Sequence, residues 1–427
     1  MYIAISRVSF EKEGNSCMNS VELMQVADNN VSFRIHRQLN NIVLQYTEAG
    51  AGRGFLAASV TDDVDAATAA RELYAMIADT LHDRRMTIVH ERIFGSLTSE
   101  AVVLRERKEV LFLQQVPAGG PVTYIAGDPT WGEGLSGIII CAVSSDHMDD
   151  VWTIMDGEIP CGRGWRRNGT TYLQLQNIQE QAGSRAGQVR GMLDRADCIL
   201  RRNGASYKDV ARTWFYLSEI LDWYPDFNKA RSEKYGEFGI MPGPGDIRLL
   251  LPASTGIGAD MSSGAAASMD LLAVVENSGR TSSVRKLTNQ GQLDAFRYGA
   301  AFSRGAVIRE EDVTIIQVSG TAAIDELGVS LFPGDIRSQI NCTFDKVRTL
   351  LGQEDAHLAD ICAATVFVKR PEYAEVFWEV SAERGLANLP VVCVVADVCR
   401  EELLFEIDAE AVVVRKGFQG ARGLGAE

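Results

Sequence analysis

Pro390-VVCVVADVCREELLFEIDAEA-Val412 opens on a proline, runs through β-branched residues to a polar centre, and closes on a second apolar run ending Ala-Val. Two other stretches are built the same way, Pro121-VTYIAGDPTWGEGLSGIIICA-Val143 and Pro252-ASTGIGADMSSGAAASMDLLA-Val274. Equal length, shared end residues and a spacing the size of a small domain mark an internal threefold repeat. Two apolar runs around a polar break predict a β-hairpin with a central loop in each copy.

The residues before each copy repeat as well. Alternating strand regions at Val31–Ile42 and Phe55–Val60, at Tyr172–Ile178 and at Val313–Ile324 come first. Amphipathic helices follow at Ala66–Leu81, Arg185–Arg202 and Asp335–Leu351, where Ile340, Phe344, Val347 and Leu351 recur at helical spacing. Next come strands at Met86–Phe94, Ala211–Leu217 and Ile361–Val368, and second helices at Ser99–Gln115, Asp222–Phe238 and Glu372–Arg384. The order β-β-α-β-α-β-β, three times over, divides the chain into modules at 1–145, 146–285 and 286–416, with 417–427 a mobile tail. One sheet with two helices on one face leaves its other face to be covered. Three copies cover those faces against one another, which predicts an α+β pseudo-trimer with sheets inside, helices outside and clefts at the module boundaries, where small-molecule sites usually lie.

Composition narrows the function. With 46% apolar and 23% charged residues the chain is an ordinary globular protein. Its 42 Lys and Arg against 57 Asp and Glu give a net charge of −15, which disfavours nucleic acid as a partner but leaves room for an anionic small molecule in a locally positive pocket. No apolar run is long enough to span a membrane, and the opening MYIAISRVSFEKEG does not have the form of a signal peptide. Eight cysteines without zinc-type pairing fit a reducing cytoplasm. Asn168-Gly-Thr170 and Asn341-Cys-Thr343 are then chance glycosylation matches, and five scattered histidines suggest no metal.

The order of elements, and the closing segment Ala396-Asp-Val-Cys-Arg-Glu-Glu-Leu-Leu-Phe-Glu-Ile-Asp408, resemble the YjgF/YER057c/UK114 superfamily, also called RidA or Rid. The resemblance covers about residues 160–415, the first module being more diverged, and implies chorismate-mutase-like modules with ligand sites in the clefts between them. Three fused Rid-like units in one chain are similar to the chorismatases, which cleave the enolpyruvyl ether of chorismate. In that likeness Glu406 matches the glutamate of the last strand that acts as acid. Cys399 matches a position that helps decide the product. Arg212-Thr-Trp-Phe-Tyr216 with Phe227-Asn-Lys-Ala-Arg231 and Lys234-Tyr235 is similar to the family's R-x-W-N-Y and the later Tyr/Arg helix, with Phe215 in place of the Asn. Rid imine deaminases carry their carboxylate-binding Arg two residues after the proline of the last hairpin; this chain has Thr123, Ser254 and Val392 there.

The residues can be weighed one by one. Glu406 is replaced by Gly137 and Ser268 in the other two copies, so the third alone carries a carboxyl group at this offset; it shares a strand face with Leu404 and Asp408. In a semi-apolar cleft it would hold a proton near neutrality; otherwise it is a solvated carboxylate beside Glu401, Glu402 and Glu410. Cys399 is a pocket-shaping or nucleophilic thiol, or plain packing. Arg212, Tyr216, Arg231 and Tyr235 are candidate anion clamps, with Arg400 beside them; the alternatives are an Arg212 salt bridge to Asp222, Asp226 or Glu219, a core Tyr216 and a surface Arg400. Thr255–Gly264 reads as a flexible tip lining the cleft, and Trp131 as a pocket cap or packing.

The reading preferred at this point is a cofactor-independent hydrolase or lyase, monomeric, acting on a small carboxylated unsaturated metabolite. Chorismate is the first guess: Glu406 would protonate the enol ether, with the arginines holding carboxylates. The alternatives are a Rid-type imine or enamine deaminase and a non-catalytic small-molecule-binding protein.

Overall fold

A computed structural model of the chain describes residues 2–3, 24–26, 32–50, 52–117, 120–144, 146, 150–167, 169–243, 249–276, 284–289, 292 and 294–414; the tail at 417–427 lies outside them. Proceeding along the chain, the first group comprises β1 (Tyr2–Ile3), β2 (Met24–Val26), β3 (Ser32–Leu39), β4 (Ile42–Ala49), β5 (Arg53–Val60), α1 (Ala66–His82), β6 (Met86–Gly95), α2 (Glu100–Leu113), β7 (Thr123–Ala126) and β8 (Leu135–Ser144). The second comprises β9 (Asp150–Asp156), β10 (Ile159–Arg167), β11 (Thr170–Gln179), α3 (Arg185–Arg202), β12 (Val210–Leu217), α4 (Ile220–Glu237), β13 (Ala253–Gly258) and β14 (Ala267–Glu276). The third comprises β15 (Val284–Leu287), β16 (Gly305–Arg309), β17 (Val313–Thr321), α5 (Ile336–Gly352), β18 (Ile361–Val368), α6 (Tyr373–Glu383), β19 (Val391–Val395) and β20 (Phe405–Val414). The three sheets run β1-β2-β3-β4-β5-β8-β6-β7, β13-β12-β14-β11-β10-β9 and β15-β16-β17-β20-β18-β19. The first helix of each group starts where a short polar side chain caps it: Asp65, Ser184 and Asp335 accept the amides of Thr68, Gly187 and Ser338.

Two expectations need correction. Each group has more strands than the expected two ahead of its first helix: β3, β9 and β15 pair in antiparallel fashion with β4, β10 and β16. The proline-initiated segments are also not hairpins. β13 pairs in parallel with β12, and β14 pairs with the other edge of β12, so the two arms are separated by a whole strand. The same insertion occurs at β6 and at β18. Alternation along a strand states which face is apolar, not which neighbour it bonds, and the polar linkers are long enough to cross two strand spacings of about 5 Å each.

The layering follows the predicted α+β pseudo-trimer. On the outside each sheet packs its own two helices: Leu73 and Ile77 on Leu56 and Ile138, Met192 and Leu193 on Leu173 and Leu271, Phe344 and Val347 on Val366 and Ile407. The inner faces meet in one shared core, where Phe55, Phe94 and Ile139 join Trp165, Trp214 and Leu272 and also Ile315, Phe367 and Val392. A ring of backbone hydrogen bonds closes the arrangement: Ala126 N to Asp260 O at 3.4 Å, Gly258 N to Asp397 O at 2.8 Å and Val395 N to Asp128 O at 2.9 Å.

The junctions are not equivalent. At the position that Glu406 holds in the third copy, the first has Gly137, and a Cβ there would lie 2.5 Å from Ala58 O and 2.8 Å from a Val392 methyl. That crevice is filled by the valine. The second copy has Ser268, whose hydroxyl is spent on Asn177 Oδ1 at 3.1 Å. The carboxyl group of the third copy instead meets open space.

Candidate active site

Between the second and third sheets lies a cavity of about 690 Å³, within the usual range for small-molecule sites. Its walls come from α4, β13, the segment leading into β16, the end of β17, the loop before β20 and β20 itself. One local irregularity opens it. The β17–β20 register shifts between Val318 and Thr321, which pair with Ala409 and Ile407, so Ser319 and Gly320 form a bulge opposite Asp408. A Cβ on Gly320 would collide with the Glu406 carboxyl oxygen, so only glycine leaves that group its place.

Glu406 is 5% exposed and lines the cavity. No side chain or backbone group among the described residues hydrogen-bonds its carboxyl group. Burial first, and the nearby Asp408 charge second, push its pKa up to about 8, against the pull of Arg212 and Arg304. At neutral pH it therefore holds its proton. Asp408, two residues on and on the same strand face, is treated in the opposite way: it receives Arg212 Nη2 at 3.2 Å, Thr255 Oγ1 at 3.0 Å and Arg92 Nη1 at 3.5 Å.

Arg231 supplies the complementary charge. Rising from α4, its guanidinium is 1% exposed, with Nη2 on Asn228 Oδ1 at 2.7 Å, Nη1 on Ser254 Oγ at 3.4 Å and no hydrogen-bond partner for Nε. Its centre lies 4.9 Å from the Phe227 ring and 5.7 Å from that of Phe302. It forms no ion pair with any carboxylate among the described residues. A buried cation in that condition is costly and suits an anionic ligand. Arg304 lies on the same cavity wall, its guanidinium 5.4 Å from Phe302.

Four of the residues singled out from the sequence thus share this cavity: Glu406, Cys399, Arg231 and Arg400. The other three stand off its wall. Arg212 is not a clamp: its buried guanidinium pairs with Asp408 and hydrogen-bonds Thr255 Oγ1 at 2.5 Å, and none of Asp222, Asp226 and Glu219 is its partner. Tyr216 and Tyr235 are fully buried behind the site, Tyr216 beside Arg92 and Tyr235 tilted against Tyr207. Burial, with Glu406 beside it, pushes the Cys399 thiol up to about 12, which favours the neutral thiol over the thiolate a nucleophile would use. Arg400 is tied to Gly328 O at 2.9 Å and Ser330 Oγ at 3.2 Å. Of the glycine-rich tip, Gly256 reaches the cavity, whereas Trp131 packs on the first helix layer.

Sequence reading missed Arg304, Tyr224, Phe302 and Gly320. A signal existed for Arg304: it interrupts the apolar run Ala300–Ile308 just as Arg212 interrupts its strand. Gly320 similarly breaks a β-branched run.

Comparison with known proteins finds relatives of the fold. Residues 294–413 match the family described as endoribonuclease L-PSP. A chorismatase of Streptomyces hygroscopicus is 29% identical over 227 residues, taking in 47% of this chain and 61% of that protein, so the chain spans about three fifths of that relative's length. A chorismatase crystal structure, 22% identical, superposes with a TM-score of 0.57 over 76% of this chain and 93% of its own, which is a likeness of fold. A member of the YjgF/YER057c/UK114 family from Mycobacterium tuberculosis, 23% identical with a TM-score of 0.25, covers 31% of this chain and 100% of its own.

Proposed function

Because the chain is a Rid-superfamily protein of chorismatase-like architecture, we propose that it cleaves the enolpyruvyl ether of a small carboxylated metabolite, chorismate being the first candidate, by general-acid catalysis at Glu406. One observation carries the reading: one cavity is lined by a carboxyl group that has no hydrogen bond, and a buried guanidinium that has no counter-ion, among the described residues. Each is costly alone, and an anionic, protonatable ligand between them satisfies both.

In this mechanism Arg231, with Arg304 near the same Phe302 ring, holds substrate carboxylate. Glu406 transfers its proton to the terminal methylene carbon, giving an oxocarbenium ion. Water adds to that cation and returns a proton to Glu406, and the hemiketal collapses to pyruvate and the freed alcohol. The test is incubation with chorismate, with pyruvate and the ring product quantified. Pyruvate release in proportion to enzyme supports the reading; binding without turnover, seen as a thermal shift alone, overturns it in favour of a binding protein.

A second reading draws support from Ser254, the position where Rid imine deaminases carry arginine. Arg231 reaches Ser254 Oγ from another element, at 3.4 Å, and so restores a cation to that place. Ammonia released from a 2-iminoacid, without pyruvate from chorismate, would favour this deaminase reading.

Gly320→Ala tests the position of the acid. The obstructing atom is the end of a side chain that can swing aside, so the fold should survive. The carboxyl group moves by about an ångström, which is expected to cost about 100-fold in kcat. Unchanged kcat with an unchanged melting temperature would show that the bulge does not place Glu406.

A further inference from the structure

Every cavity-lining residue comes from the second and third groups of elements, yet the first group reaches the site from behind. Arg92 on β6 and Arg212 on β12 converge on one oxygen, Asp408 Oδ2, at 3.5 and 3.2 Å, and Thr255 Oγ1 donates to the same oxygen at 3.0 Å. Thr255 Oγ1 also accepts the Gly320 amide at 3.1 Å, which ties this cluster to the bulge. Asp408 is 1% exposed, and both arginine Nε atoms have no hydrogen-bond partner. Among the described residues the carboxylate that forms an ion pair with both cations is Asp408, although Glu406 lies two residues away on the same strand face.

We propose that Asp408 is a positioning residue of the site: it takes up the charge of Arg212 and Arg92 and so leaves Glu406 without a counter-ion and able to keep its proton. The proposal rests on Glu406 acting as the acid. The charged and titratable groups that act on Glu406 or line its cavity are Asp408 on its own strand, Arg212 on β12, Arg304 ahead of β16, Arg231, Lys229 and Tyr224 on α4, and Cys399, Arg400, Glu401 and Glu402 in the loop before β20. Of these, Asp408 is the buried carboxylate that competes directly with Glu406 for the arginines. With it neutralised, the pull of Arg212 and Arg304 on Glu406 is no longer opposed by the Asp408 charge, and the carboxyl group ionises more readily. Arg92 makes the first group of elements a party to the site without touching the cavity.

The experiment needs no substrate, so its failure is separate from failure of the chorismate reading. The carboxylic C=O stretch of Glu406, identified by its absence in Glu406→Gln, is followed against pH by infrared difference spectroscopy. Asp408→Asn is expected to lower the midpoint by at least about one pH unit. Arg92→Gln is expected to raise it, because Asp408 then faces one cation fewer. A merely structural role would not move the two variants in opposite directions. An unchanged or raised midpoint in Asp408→Asn overturns the proposal. Should that variant not fold, an unchanged or lowered midpoint in Arg92→Gln overturns it.

Discussion

Glu406→Gln is expected to cut enol-ether turnover by about a thousandfold, within the range ascribed to a positioned general acid, while ligand binding and folding persist. Glutamine keeps the size and planarity of the side chain but has no acidic proton to give a carbon atom. The native group is buried and neutral at pH 7 in this reading, so the neutral amide of the same shape exchanges one polar group for another, and the melting temperature should change little. The pH profile gives the second check. The working form is the protonated acid, with a pKa of about 8. Its fraction is nearly complete at pH 6 and falls about tenfold per unit above pH 8, and the rate should follow. That alkaline limb should disappear in Glu406→Gln, leaving a flat residual rate. Full activity in the variant, or a native rate that keeps rising through pH 9, would remove Glu406 from the chemistry.

Much of this site was legible in the sequence, for physical reasons. Glu406 stands out because the other two copies place glycine and serine there, and repeats that differ at one position advertise a change of task. The helices were legible because burial on one face imposes a helical period, as at Ile340, Phe344, Val347 and Leu351. Pairing was not: the arms of Pro252–Val274 look like neighbours in sequence, yet β12 lies between them. Arg212 shows the limit most plainly. A charge in an apolar strand needs a partner, but that partner, Asp408, belongs to another module and no local pattern points to it. Arg231 and Arg212 look alike in sequence as candidate clamps; only the packing separates the one that is paired from the one that is not.

That difference gives Arg231→Met its unusual expected signature, opposite effects on stability and on binding. The native guanidinium is enclosed with no carboxylate partner among the described residues, holds Asn228 and Ser254 by its two Nη groups and leaves Nε unsatisfied. Confining a charge in that way costs several kcal/mol before any ligand arrives. Methionine fills similar space between Phe227 and Phe302 without the charge, so the empty variant should melt higher, by about 2 °C or more. Ligand affinity should fall by about 100-fold, because hydrogen bonds to charged groups contribute about 1.5–3 kcal/mol each and the fork supplies more than one. Arg231→Lys should recover little, since an ammonium cannot reproduce the planar pair of donors. Melting curves with and without chorismate read both effects in one series. A variant that melts lower and binds as tightly as the native protein would assign Arg231 to packing. Higher melting with lost binding is the pattern of a protein that keeps an unpaired charge in place for its ligand.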